Sequence, residues 1–299
     1  MTKEPSLHVR LRLTHGVLQR IADKAGADVL HVKGPAVARE LLDTRDIHDA
    51  EGSFERTEII HRNSSDADLL IRPEHVHRFL DGASRHGWIR KTSFSTSSAF
   101  GHAMNIFHPT LGNADVHRRF PGLAPEAFDE LWRARTSTDL GHVPCPTPSV
   151  TAQRLLLLLH SARSGPHHPD TGRAWDRATA DERTGVLALA RHLGAEIGVA
   201  AAVGDLEAFR DHPEYLLWKH FRDGNPSRLD EWRARWRAAT TVGKKAAVVQ
   251  GLLFFDPSLL EAELGHAPSH REVAQRTLLR WRRLLGELAA RRTSTGGRA

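Results

Sequence analysis

The chain has 299 residues, with 42 Lys and Arg against 36 Asp and Glu, a net charge of +6 and a pI near 10.0. That length suits one large or two ordinary domains, and no stretch reaches the roughly 20 apolar residues that span a bilayer. A single cysteine, Cys145, excludes an intrachain disulfide and a cysteine-based zinc cluster.

The basic balance suits polyanionic partners such as nucleotides or RNA, and equally an arginine-rich surface with no such role. The first six residues show charge without an apolar signal core, so a cytoplasmic, membrane-free protein is expected.

Residues 7–25 place Leu7, Leu11, Val17, Leu18 and Ile21 on one helical stripe, with Gly26 as the stop. Residues 27–32 read as a short buried strand. Lys33-Gly34-Pro35 follows, and Pro35 suits the first turn of a helix over residues 36–42. A strand, a glycine turn and a helix N-terminus form a natural anion site, to which Lys33 adds a positive charge. An ordinary connection with a surface lysine has the same sequence.

Residues 43–63 are polar and aperiodic, and the expectation there is a long loop. Arg62 closes that loop and can reach a phosphate near the next strand. Ser64-Ser65-Asp66-Ala67-Asp68-Leu69-Leu70-Ile71 is a polar turn running into a strand. Its alternation puts Asp66 and Asp68 on one face and Ala67 and Leu69 on the other. Aspartates are disfavoured in strands and repel each other, so a cation held by oxygen ligands, Mg²⁺ above all, gives the pair a purpose. A turn with a solvated edge carboxylate is the competing reading.

Pro73 opens a helix with Val76, Phe79, Leu80 and Ala83 inward, ending near Gly87. Residues 88–92 and 102–108 are strand candidates. In Asn113-Ala114-Asp115-Val116-His117 the alternation places Asp115 and His117 on one face. His117 can orient Asp115 or be an ordinary strand histidine.

Taken together, Lys33-Gly34, Ser65-Asp66-Ala67-Asp68-Leu69-Leu70 and Asp115-Val116-His117 resemble a bacterial nucleotidyltransferase family within the DNA-polymerase-β-type nucleotidyltransferase superfamily. The resemblance covers roughly residues 10–120. It implies an α/β (α+β) domain with a mixed sheet. Two Mg²⁺ ions would be held by Asp66, Asp68 and Asp115, which are also the catalytic residues. The substrate would be an NTP, with ATP the expected one, gripped by Lys33, Gly34, Ser65 and Arg62. The chain departs from the superfamily in carrying Lys-Gly where Gly-Ser is usual, about thirty residues before Asp66.

Beyond Pro144-Cys145-Pro146-Thr147-Pro148, read as a stiff linker, only helices are expected. The loop His167-His168-Pro169-Asp170 holds metal-ligand types without a second ligand group and reads as a polar loop. Val186, Ala190, Leu193 and Ile197 mark one helix face. Leu229, Trp232 and Trp236 mark another, expected in the core. Ser269 with Glu272 makes a capping box for the last helix, whose seam is Val273, Thr277, Trp281, Leu284 and Leu288.

The expected organisation is a nucleotidyltransferase domain over residues 1–143, a helical domain over 144–292 and a disordered tail over 293–299. The expected reaction moves an NMP from an NTP to a hydroxyl-type acceptor (a small molecule, a peptide or protein, or RNA) with release of pyrophosphate. A non-catalytic nucleotide- or RNA-binding module on the same fold is the alternative.

Overall fold

A computed structural model of the chain describes residues 5–48, 54–60, 64–94, 102–253, 257, 260, 264 and 268–295. Helix α1 (Leu7–Ala25) starts on the Ser6 side chain and ends at Gly26, whose left-handed φ of 62° a side chain would resist. It leads into strand β1 (Val29–Val32). Where a helix is expected over residues 36–42, the chain makes two single 3₁₀ turns, Gly34–Ala36 and Arg39–Leu41. Pro35 serves the first of them, and the segment is too short to repay the nucleation cost of an α-helix.

The expected long loop over residues 43–63 contains a hairpin instead. Strands β2 (Asp43–His48) and β3 (Phe54–Ile60) pair antiparallel. Both carry polar or exposed residues on each face, so no alternation betrays them.

Strand β4 (Asp66–Ile71) is followed by helix α2 (Val76–Arg85), strands β5 (Ile89–Arg90), β6 (Ala103–His108) and β7 (Gly112–His117), and helix α3 (Ala127–Arg133). Five of these strands form one mixed sheet in the order β1-β4-β7-β6-β5, in which only the β4–β7 pair is parallel. One face, with Ala67, Leu69, Ile71, Ala114 and Val116, packs under α1 and α2. Leu30, Val32 and Leu70, on the other face, join the core of the helical half, with Leu155 to Leu159 at its centre.

The proline-rich segment expected as a linker is a strand. β9 (Pro144–Thr147) pairs antiparallel with β8 (Thr136–Asp139). Proline lacks an N–H for a ladder, and a two-stranded ribbon, all edges, tolerates it.

Helices then follow one another: α4 (Val150–Ser161), the single turn α5 (Pro169–Thr171), α6 (Ala180–His192), α7 (Glu196–Val203), α8 (Tyr215–Arg222), α9 (Arg228–Ala238), α10 (Val242–Leu253) and α11 (His270–Thr295). The mixed α/β class with a helical C-terminal region is therefore the observed one. Val186, Ala190, Leu193 and Ile197 are all buried, on two helices broken at Gly194.

Trp236 departs from its expected core place. It is 47% exposed, with the Lys245 ammonium 5.2 Å from its ring centroid. Ser269 and Glu272 form the expected capping box (Ser269 N donates to Glu272 Oε2 at 2.7 Å, Glu272 N to Ser269 Oγ at 3.3 Å). Trp281, expected in the inner seam of α11, is 41% exposed and its indole N–H donates to the Leu253 carbonyl. The side chains of Leu284 and Leu288 lie outside the described ones, and α11 itself runs to Thr295.

Candidate active site

The sheet register assembles the site. Asp68 of β4 lies directly beside Asp115 of β7, with Val32 of β1 and Asn105 of β6 in the same row. Residues paired across a sheet point to the same face, so both carboxylates face the helical half. Asp66 sits one row back on that face and His117 one row forward, in register with Leu70. Ligating atoms of Asp68, Asp115 and His117 all lie within 4.8 Å of one another.

Asp68 is buried and heavily partnered. Lys33 Nζ stands 2.5 Å from its Oδ1, and His117 Nε2 is 3.0 Å from the same oxygen. Burial pushes this carboxyl upward, but the Lys33 ammonium and then the His117 hydrogen bond hold it well below the usual carboxylate range. Asp66 goes the other way. Burial, then the charges of Asp68 and Asp115, raise it to about 6 in spite of Lys33 and a hydrogen bond from Ser65 Oγ. Asp115 accepts from Asn105 Nδ2 at 3.1 Å.

The Lys33-Gly34 turn is built for its neighbours. Lys33 has φ 59° and ψ −175°, a conformation that only glycine adopts freely, at a cost of about 1–3 kcal/mol for other residues. Strain of that kind at a lysine is retained where the side chain is needed, and here it delivers the ammonium to Asp68. Gly34 follows at φ 50°, and a Cβ on it would lie 3.1 Å from Ser64 Oγ. That hydroxyl donates to the Asp66 carbonyl at 2.9 Å, fastening the turn to the start of β4.

Of the sequence-predicted residues, Lys33, Gly34, Asp66, Asp68 and Asp115 come together. Ser65 is exposed at the rim. Arg62 lies outside the described residues.

Sequence reasoning missed Ser64, Asn105, His102 and Arg163. The ring of His102 lies 5.3 Å from that of His117, and its burial, with His117 and Arg163 next, drops its pKa to about 2. Arg163, just past α4, places its guanidinium over Phe120 at 5.4 Å. Burial lowers it to about 10, against the opposing pull of Asp68. The register of β6 and the packing of α4 are long-range facts with no local sequence signal.

No family model matches the chain, and no curated protein matches it. Solved structures do, among them two at low identity. One is the lincosamide antibiotic adenylyltransferase LnuA in its lincomycin-bound form, at 15% identity and a TM-score of 0.31, over 58% of this chain and 92% of that one. The other is an antigenic nucleotidyltransferase-like protein from Paracoccidioides brasiliensis, at 14% identity and a TM-score of 0.33, over 72% of this chain and 94% of that one. Likeness at that level says nothing of substrate or activity.

The residues present fit a divalent cation. Two adjacent carboxylates supply hard oxygen ligands, the kind Mg²⁺ prefers. Buried His117 Nδ1, the ring nitrogen not bonded to Asp68, has no hydrogen-bond partner among the described residues. The raised Asp66 points the same way, since burial and the neighbouring carboxylates hold its proton up to about pH 6 in spite of Lys33.

Proposed function

We propose that the chain is a metal-dependent nucleotidyltransferase that moves an NMP from an NTP to a hydroxyl-type acceptor and releases pyrophosphate. The observation that carries this reading is the pairing of Asp68 with Asp115 on parallel neighbours, with Asp66 on the same face. Such a set suits Mg²⁺, which when bound would be held by Asp66, Asp68 and Asp115 and would stabilise charge on the entering and leaving oxygens of an in-line displacement.

The chain's own residues position the reactants. The Lys33 ammonium exchanges Asp68 for the leaving pyrophosphate, and Arg163 supplies a second positive charge from the helical side. The Gly34 turn lets backbone approach the phosphates closely. Asn105 fixes the Asp115 carboxylate by donating to Oδ1, the outer support a ligating carboxylate would need. In this reading Asp115 accepts the acceptor's hydroxyl proton. ATP is the first nucleotide to try, and the acceptor is a small molecule, a peptide or protein, or RNA.

The test is pyrophosphate release from each of the four NTPs with Mg²⁺, in the presence of candidate acceptors of each class. Mg²⁺-dependent release that stops in Asp115→Asn supports the reading. Nucleotide binding without release from any NTP, in every acceptor class, favours the non-catalytic module.

A further inference from the structure

A second group of ligand-type side chains lies away from the carboxylates of the sheet. His160 is in the last turn of α4, His168 caps α5 and Asp170 is in the first turn of α5. Their ligating atoms lie within 4.8 Å of one another. Asp170 Oδ2 is 3.1 Å from His160 Nδ1 and 3.7 Å from His168 Nδ1. Around a four-coordinate zinc ion with ligand bonds of 2.0–2.2 Å, neighbouring donors stand about 3.3–3.5 Å apart. The observed separations bracket that value.

His160 Nδ1 and Asp170 Oδ2 stand at hydrogen-bond distance, and a cation here would replace the proton between them. His168 Nδ1 accepts the Asp170 backbone N–H at 3.2 Å, so it carries a lone pair rather than a proton. That single lone pair is the one a cation would take up, in place of this long backbone contact. The carboxylate is also held in place from behind. Arg173 Nη1 donates to Asp170 Oδ1 at 2.9 Å, while Arg173 Nη2 and Arg177 Nη2 both reach Asp43 at the base of the β2–β3 hairpin. This leaves Oδ2 as the oxygen facing both imidazoles, the outer support that ligating carboxylates need. Asp170 is fully buried, while each histidine is about one-fifth exposed, which gives an ion a way in.

We propose that His160, His168 and Asp170 form a binding site for a transition-metal cation of the Zn²⁺ class, with a fourth position open to water. Two imidazoles and one carboxylate are the donors such ions take, and they disfavour Mg²⁺. The bound ion ties the end of α4, which precedes Arg163, to α5 and through Arg173 to the β2–β3 hairpin. The site stands on its own residues and does not depend on the nucleotidyltransferase reading.

The experiment uses untagged full-length protein stripped with EDTA, titrated with Co²⁺ in millimolar Mg²⁺, and compared with His168→Ala, His160→Gln and Asp115→Asn. One Co²⁺ per chain is expected, with the intense visible bands of a low-symmetry, four-coordinate ion that Zn²⁺ then displaces. His168→Ala or His160→Gln should weaken binding by at least about 100-fold, since outer-shell partners alone are worth 10–100-fold. Asp115→Asn should bind as the wild type does. Circular dichroism reports whether each variant folds. Should both histidine variants unfold, wild-type histidine ¹⁵N shifts on Zn²⁺ addition decide the matter, with two Nδ1 resonances expected to move. No stoichiometric Co²⁺ binding would overturn the proposal, as would binding lost in Asp115→Asn and kept in His168→Ala, or wild-type histidine resonances that do not respond to Zn²⁺.

Discussion

At Asp66 and Asp68, neighbours on one strand, two carboxylates have opposite relations to the fold. Asp68 is the buried partner of a half-buried lysine, so Asp68→Asn leaves the Lys33 ammonium without its counter-charge. Removing one member of a buried pair costs about 3–5 kcal/mol, and the Lys33 side chain is 12% exposed, which places the expected loss near the lower end. Asp66 carries repulsion instead. Its folded-state pKa lies above the ordinary value, so it destabilises the metal-free protein as pH rises through about 6. Asp66→Asn should therefore raise the melting temperature at pH 8 in EDTA, whereas Asp68→Asn lowers it. Both should cut turnover by at least about 100-fold, the loss seen when one charge-stabilising contact is removed from a transition state. Thermal melts in EDTA alongside pyrophosphate assays separate the two effects, and wild-type turnover in either variant would remove that carboxylate from the chemistry.

Lys33 offers a sharper contrast. Lys33→Gly relieves the backbone strain that Lys33→Ala retains, by about 1–3 kcal/mol. Urea denaturation should rank the glycine variant the more stable of the two, while both lose NTP use to a similar extent. A glycine variant less stable than the alanine one would mean that the turn is not strained.

Among the elements, α1 and β1 share a buried histidine pair behind the site. His15 Nδ1 and His31 Nδ1 are 2.8 Å apart, and His31 Nε2 is 2.8 Å from Gln19 Oε1. Burial lowers His15 to about 4, against the opposing pull of Asp68. Burial, and then His15, holds His31 well below its ordinary 6.5. Groups with depressed folded-state pKa values contribute stability that is present above pH 6.5 and lost as pH falls toward the folded value. The stability of the wild type should drop between pH 6.5 and 5 by roughly 2 kcal/mol for one such group, at about 1.4 kcal/mol per pH unit. Asp66 works in the opposite direction over the same interval, so the measurement belongs in the Asp66→Asn background. Urea midpoints in that background should fall with acid for wild-type His15 and stay flatter in His15→Leu. Equal slopes would place the acid sensitivity elsewhere.

The same scale shows what the sequence made legible. β4 and β7 alternate apolar and polar residues because one face packs under α1 and α2, and that period carries Asp66, Asp68 and Asp115 with it. β2 and β3 leave no such trace because neither face is buried. β9 hides behind two prolines, which read as a linker until a strand partner 5 to 11 residues away is known.

At the level of the whole molecule, the helical half packs onto the open face of the sheet through Leu30, Val32, Leu70 and the Leu155–Leu159 run. That packing brings Arg163 toward Asp68 across almost one hundred residues of sequence. Residue types near a strand can be read locally, but a side chain delivered from a distant helix cannot, and the same holds for the pairing of His160 with Asp170. Arg163→Met should keep the fold, since an unbranched apolar side chain of similar reach can pack on Phe120 in place of the guanidinium, and should raise KM for the NTP about 10-fold while moving kcat less. Steady-state kinetics across nucleotide concentrations check this, and an unchanged KM would detach α4 from substrate binding.

The most direct measurement follows the phosphorus atoms. The protein is incubated with Mg²⁺, an acceptor pool and an NTP labelled at either the α- or the γ-phosphate. The account expects α-label to appear on the acceptor, γ-label to leave as pyrophosphate, and both to stop with EDTA or in Asp115→Asn. Transfer of γ-label to the acceptor, or α-label transfer that survives the loss of Asp115, would contradict it.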